Sequence, residues 1–371
     1  MTIDNVRILF SDGVFRTGSL EFDETIRKIN VNTSTNSDIK TYLIPGLIDI
    51  HTHGACGFDH TDCSVEERQK IASYYAKSGT TSFLATTITS EESVLADAMR
   101  NIAKYERQAG GARCIGINVE GPFFSYEKRG AHSPELLRHP DFSMYERLNA
   151  LSGGQISLMC VAPELPGAID FIKSVSQTAK ISLAHSTADY VTAMDGFGSG
   201  ATHITHIFNG MNPFLHREPG IIGAALDSNA FVELICDGYH IHPAVIRATF
   251  RMFPRRVCLI SDSLKCTNLP DGEYDSGGLA VIIENGRAML KDGSTLAGST
   301  ISLLQGVRNA VSLGIPLADA VMAASYNCAE SLGLEKKIGS LIPGAYADFV
   351  LLDSNLNIQK VYISGKEVNR S

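Results

Sequence analysis

Leu47-Ile48-Asp49-Ile50-His51-Thr52-His53-Gly54 is the stretch on which the reading of this chain turns: an apolar run that stops on two histidines spaced two apart. Side chains alternate across a strand, so positions 51 and 53 share one side and both imidazoles can reach one cation. Neutral imidazole is the commonest protein ligand for zinc-like metals. A His-x-His pair also occurs on solvated loops, so its weight depends on what the rest of the chain supplies.

Four further apolar runs end on residues of the same chemical kind. Cys114 to Val119 leads into Glu120, Ile181 to Ala184 into His185, Ala201 to Thr205 into His206, and Val257 to Ser261 into Asp262. Short continuous apolar runs suit strands buried on both faces of a parallel sheet, and (β/α)8 barrels gather their active sites at the C-terminal ends of such strands. Candidate strands fall near 47–53, 81–87, 114–120, 156–162, 180–185, 201–206, 231–236 and 257–262. Their spacing averages roughly 30 residues, the length of one strand–helix unit. A helix is expected over 64–78, where Ser64 caps, Glu67 completes a capping box and Gly79 supplies a left-handed end. Others are expected over about 91–108 and near 167–178, 187–196, 243–253, 301–313 and 317–331. The predicted fold class is α/β, a TIM-like (β/α)8 barrel over 45–336, with a β-hairpin excursion at 272–292 that turns at Asn285-Gly286.

The two ends read differently. Residues 1–44 and 337–371 carry short alternating runs such as Val6-Arg7-Ile8-Leu9-Phe10 and Asp348-Phe349-Val350-Leu351-Leu352-Asp353, with no helical pattern. Each end is too short to bury a core alone, so the two are expected to pair as one small β-sandwich beside the barrel. Asn32 to Ser37 reads as a polar loop.

Composition narrows the function classes. The length of 371 residues suits one barrel of roughly 250 residues with an appendage. A net charge of −8 argues against a nucleic-acid partner, which usually demands a basic face. No run of about 18 apolar residues offers a membrane span, and Met1-Thr2-Ile3-Asp4-Asn5-Val6-Arg7 lacks the basic-then-apolar order of a secretion signal. The expectation is a soluble cytoplasmic protein acting on a small molecule, without a nucleic-acid or membrane partner. The eight cysteines are scattered with no Cys-x-x-Cys pair, as small core residues in a reducing compartment would be. His60, His139, His203, His216 and His242 read as structural or solvent-facing.

Taken in order, these residues resemble the amidohydrolase superfamily and, within it, the N-acetylglucosamine-6-phosphate deacetylase family. The resemblance runs nearly end to end. It rests on Pro45-Gly46-Leu47-Ile48-Asp49-Ile50-His51-Thr52-His53-Gly54, Glu120-Gly121-Pro122-Phe123, Arg129-Gly130-Ala131-His132, Leu183-Ala184-His185-Ser186, Thr205-His206-Ile207-Phe208-Asn209-Gly210-Met211, Arg217-Glu218-Pro219-Gly220, Asp237-Gly238-Tyr239-His240, Ile260-Ser261-Asp262-Ser263 and Leu296-Ala297-Gly298-Ser299-Thr300.

The resemblance implies a divalent-metal hydrolase with a barrel, a sandwich built from both termini, and a homodimer. It implies that Glu120, His185 and His206 hold the principal metal, and that His51 and His53 add a second site with Glu120 bridging. One or two ions per subunit are therefore expected. Zinc is the default for nitrogen and carboxylate donors, and iron, manganese, cobalt or nickel would fit the same set. Amide hydrolysis at neutral pH needs an activated water and a base that later serves as acid. Asp262 is expected to take the water proton and pass it to the departing amine, while the resemblance places His132 beside the acetyl carbonyl as a donor. It also places Asn209, the Gly210 amide, Arg217 and His240 around the sugar phosphate, with Arg217 reaching into the neighbouring subunit's site. Gly210 stands where alanine is common, a difference expected to matter little if only the backbone donates. The implied activity is deacetylation of N-acetyl-D-glucosamine 6-phosphate. The galactosamine epimer and a non-catalytic sugar-phosphate sensor are the alternatives.

Overall fold

The computed structural model describes residues 1–32 and 39–370. The polar loop expected at 32–37 therefore lies, apart from Asn32, outside the described residues.

Eight strands form the central sheet: Leu47–Thr52, Thr80–Thr87, Arg113–Val119, Ile156–Val161, Lys180–Leu183, Ala201–Ile204, Phe231–Ile235 and Val257–Ile260. Each pairs in parallel with the next in chain order. All eight expected strands are present, and their near-continuous burial is what a sheet covered on both faces requires. Among the described residues, no ladder joins the first strand to the eighth. The seam is closed instead by bonds just beyond it. The Asp262 N–H donates to the His51 carbonyl (3.0 Å), the His53 N–H to the Ser263 carbonyl (2.9 Å), and the Ser261 N–H to the Asp49 carboxylate (3.2 Å). Closing the barrel and holding His51 and His53 beside Asp262 are thus the same event.

Helices cover the outside. Val65–Lys77 starts with the capping box of Ser64 and Glu67 and is followed by Gly79 at φ +93°. The helix expected over 91–108 is shorter, Glu92–Ala103. The stretch 317–331 is two helices, Leu317–Ala323 and Tyr326–Leu332. Their break frees the Ala324 carbonyl to accept the Ile48 N–H at 2.8 Å, a bond to the first barrel strand that an unbroken helix would forbid. Two helices were not anticipated. Phe142–Leu151 is capped by Asp141, and Gly220–Asp227 buries all of its first six residues, so it shows no amphipathic period to read. The excursion after the eighth strand is a three-stranded meander rather than a hairpin: Gly272–Ser276, Leu279–Glu284 and Arg287–Leu290. It turns at Gly277-Gly278 as well as at Asn285-Gly286, all four at positive φ.

Strands from both ends of the chain form one seven-stranded sheet. Its middle strand, Tyr42–Pro45, runs parallel to Thr2–Leu9 and antiparallel to Phe349–Leu352. Phe15–Phe22 lies three places from Phe349–Leu352 in this sheet, about 14 Å away if the sheet were flat. The Phe22 ring centroid nevertheless sits 4.9 Å from that of Phe349 and 5.4 Å from that of Tyr362. The sheet curls over on itself, enclosing Ile8, Leu20, Leu43, Phe349 and Leu351. The expected sandwich is thus a single folded-over sheet, and its middle strand feeds through Gly46 straight into the first barrel strand.

Candidate metal centre and active site

Three of the predicted site residues sit two positions past the end of their strands in a backbone conformation that side chains rarely adopt. His185, His206 and Asp262 have φ of +46°, +27° and +49°. Such strain costs about 1–3 kcal/mol per residue and persists only where surrounding bonds over-determine it. Here the Thr205 N–H bonds to the Leu183 carbonyl (3.1 Å), Ile207 to Glu233 (2.8 Å) and Asp262 to His51 (3.0 Å). The sharp turns swing the three side chains from the rim over the barrel mouth.

There they meet Glu120. Its Oε1 lies 3.1 Å from His206 Nε2, 3.3 Å from His185 Nε2 and 3.4 Å from His51 Nε2, and its Oε2 lies 3.1 Å from His53 Nε2. Asp262 Oδ1 approaches His53 Nε2 at 3.3 Å and His51 Nε2 at 3.5 Å. All six side chains are buried. Two trios have ligand geometry, His51 with His53 and Glu120, and Glu120 with His185 and His206, so the glutamate is common to both.

This arrangement calls for positive charge. His185 Nε2 and His206 Nε2 are 3.0 Å apart, a separation at which two lone pairs repel unless a proton or cation lies between. His51 Nε2 is buried without a hydrogen-bond partner among the described residues. Burial pushes the His51 and His53 imidazoles towards neutrality. The opposing pull of Glu120, Glu233 and Asp262 leaves His51 well above its usual value, and bonds to Asp262 and Glu120 leave His53 up at about 10. Burial likewise raises Glu120 and Asp262, but the His51 charge and the neighbouring imidazoles hold both well below the carboxylate range. The donor set of imidazoles and carboxylates suits a divalent cation, which would supply that positive charge. His132, whose Nε2 is 3.7 Å from Glu120 Oε2, is pushed down to about 3 by burial and then by His185, which keeps it a neutral ring.

A cavity of about 180 Å³ opens onto the cluster, and Asn209, Gly210 and His240 line it together with His132 and Asp262. His240 Nδ1 bonds Asp237 at 2.7 Å. Asn209 donates to the carbonyls of His206 (3.2 Å) and Ile207 (3.3 Å). Gly210 is more constrained than its sequence suggested: at φ +60°, an added Cβ would lie 2.8 Å from His185 Nδ1. A side chain there would displace the ring, whatever the backbone amide does. Arg217 is not brought to this cavity. It lies on an exposed loop, donates to His216 Nε2 at 2.7 Å, and lines a separate hollow with Tyr190, Val191 and Leu215. His60 and His203 are buried, whereas His139, His216 and His242 are exposed.

Two buried acids of the site were missed. Glu233 Oε2 lies 2.8 Å from His51 Nδ1. Asp49 accepts from the Ser261 and His51 amides, and burial, opposed by those bonds, moves it up to about 7. The signal was present in both cases: a single acid inside an otherwise apolar strand, Phe231-Val232-Glu233-Leu234-Ile235 and Leu47-Ile48-Asp49-Ile50.

Comparison with known proteins places this geometry. The model of the amidohydrolase family matches residues 42–368. An N-acetylglucosamine-6-phosphate deacetylase of Vibrio furnissii is 38% identical over 330 residues, 88% of this chain and 82% of that protein. An N-acetylgalactosamine-6-phosphate deacetylase of Escherichia coli is 38% identical over 328 residues, 87% of each. A mutant of the Mycobacterium smegmatis N-acetyl-D-glucosamine-6-phosphate deacetylase, solved in complex with N-acetyl-D-glucosamine 6-phosphate, superposes with a TM-score of 0.92 at 29% identity over 99% of both chains.

Proposed function

The chain belongs to the amidohydrolase family, and on that premise we propose that it deacetylates N-acetyl-D-glucosamine 6-phosphate to D-glucosamine 6-phosphate and acetate. The observation that carries this reading is Glu120, shared by four buried imidazoles, with Asp262 alongside and a cavity opening onto the cluster.

His185 and His206 with Glu120 would hold one divalent cation, and His51 and His53 with the same glutamate a second, zinc being the first choice for these donors. A cation held there would lower the pKa of a bound water towards about 7 and polarise an acyl oxygen. Asp262 takes the proton of the attacking water as the C–O bond forms at the acetyl carbon. It delivers that proton to the sugar nitrogen as the C–N bond breaks, so it ends the cycle as it began. His132, neutral because it is buried, donates to the acyl oxygen as negative charge develops there. Asn209, the Gly210 amide and His240 contact the sugar phosphate from the cavity wall. Arg217, outside the cavity of its own chain, serves the site of a second copy in a homodimer, where its forked guanidinium suits a phosphate. The terminal sandwich (1–44, 337–371) supports the catalytic barrel (45–336). Among the described residues, no helix is long and apolar enough to cross a membrane.

The Escherichia coli relative favours a second reading, in which the galactosamine epimer is the substrate. Metal-replete protein incubated with each epimeric sugar phosphate, with released acetate measured, tests both. Faster release from the galactosamine compound selects the second reading, and binding of either without acetate release refutes both.

A further inference from the structure

Glu233 belongs to neither trio, yet it is wholly buried in the seventh barrel strand among apolar neighbours. A carboxylate so placed carries a large desolvation penalty unless it is bonded. Its Oε2 lies 2.8 Å from His51 Nδ1 and 3.4 Å from the His206 amide, and its own carbonyl accepts from Ile207 at 2.8 Å. One residue thus touches the first strand and the turn that carries His206. The outer nitrogens of the four imidazoles are otherwise served differently. His185 Nδ1 meets the Lys128 carbonyl at 2.8 Å, whereas the Nδ1 atoms of His53 and His206 have no hydrogen-bond partner among the described residues.

We infer that Glu233 is a positioning residue: by accepting the Nδ1 proton of His51 it presents the Nε2 lone pair to the cluster and sets the affinity of the site formed by His51, His53 and Glu120. The opposite tautomer would bring an unprotonated Nδ1 against a carboxylate oxygen at 2.8 Å, two acceptors with nothing between them. A charged acceptor also makes the ring a stronger electron donor than a backbone carbonyl does. The inference rests on the reading that His51 is a metal ligand, and it adds what makes that ligand effective.

The test loads wild type, Glu233→Gln, His51→Asn and the double variant with zinc alone. Stoichiometry is read by elemental analysis, and the two affinities by competition with a chromophoric chelator. Glu233→Gln is expected to weaken one of the two bound ions about 10–100-fold and leave the other nearly unchanged. In the His51→Asn background the same substitution should do nothing further, because Glu233 acts through that ring. A low-field ring N–H resonance in zinc-loaded wild type should also move in Glu233→Gln. Unchanged affinities in Glu233→Gln, or an equal loss with His51 already absent, overturn the inference. If His51→Asn weakens one ion and Glu233→Gln weakens neither, only this inference fails. If His51→Asn leaves both ions bound as in wild type, the ligand reading fails and takes the inference with it. Should Glu233→Gln not fold, Glu233→Asp keeps the charge but withdraws it by one methylene. The same loss at one site is expected there, and wild-type affinity refutes the role.

Discussion

The cluster around Glu120 and the loop that carries Arg217 are both proposed to meet the same substrate, yet they are built in opposite ways. Glu120, His51, His53, His185, His206 and Asp262 hang from five barrel strands or the turns directly after them, and all are buried. Arg217 stands exposed on a loop between the sixth strand and the helix Gly220–Asp227, where it donates to His216. In the proposed reading the bond-breaking end of the site comes entirely from one chain, whereas the phosphate end takes Arg217 from a second copy. Rigid strand ends suit chemistry that tolerates little misplacement, while loops are where recognition is usually carried.

The largest expected effects fall on the buried side of this contrast. Stripping the cation with a chelator should abolish acetate release, and adding back zinc should restore it. Full turnover by protein shown metal-free by elemental analysis would remove the reason for the cluster. Asp262→Asn comes next. It should keep the fold and the metal content while lowering kcat about 10²–10⁴-fold, the usual contribution of a positioned acid–base group. Near-normal kcat would assign the proton transfer to another residue.

Gly210→Ala probes the border between the two regions, because Gly210 lines the cavity and packs under His185. A non-glycine residue at its φ of +60° costs about 1–2 kcal/mol. The methyl group would also press the His185 ring away from its bond to the Lys128 carbonyl. The expected outcome is a stability loss of that size with weaker metal retention, measured by chemical denaturation and metal analysis on the same preparation. Unchanged metal retention would show that the His185 ring has room the structure does not suggest.

The same contrast governs how much could be read from the sequence. The barrel was legible because buried parallel strands leave a simple trace, an apolar run stopping on a polar residue, and Glu120, His185, His206 and Asp262 each mark such a stop. The β-sandwich was legible as two ends that need each other, but not as one curled sheet, since the curl shows only where Phe22 meets Phe349 across the two strands between them. Helix limits were least legible where tertiary bonds decide them, as at Ala324, whose carbonyl serves Ile48. Glu233 was overlooked because a lone acid inside an apolar run looks like an interruption, and only the His51 ring opposite gives it a purpose. Arg217 was legible as a cation in a family pattern, but its distance from the cavity of its own chain is a property of a loop, which no period or spacing encodes.

Arg217→Ala is therefore the mildest change and the most direct test of the exposed side. Removing an exposed arginine whose polar contact is His216 should leave stability within about 0.5 kcal/mol and metal content unaltered. If the guanidinium meets a phosphate in the neighbouring chain, a charged hydrogen bond is lost, worth about 1.5–3 kcal/mol. KM for the sugar phosphate should then rise about 10–100-fold while kcat holds, and KM for unphosphorylated N-acetylglucosamine should not move. Mixing Arg217→Ala with Asp262→Asn separates the two routes by which that loss could arise. In a mixed dimer whose sites are completed across the interface, the site that keeps its own Asp262 lies on the Arg217→Ala chain and receives its arginine from the Asp262→Asn chain, so wild-type KM should return in about half of the sites of such dimers. An arginine acting within its own chain would give no such recovery, and the phosphate end would then be as self-contained as the metal end.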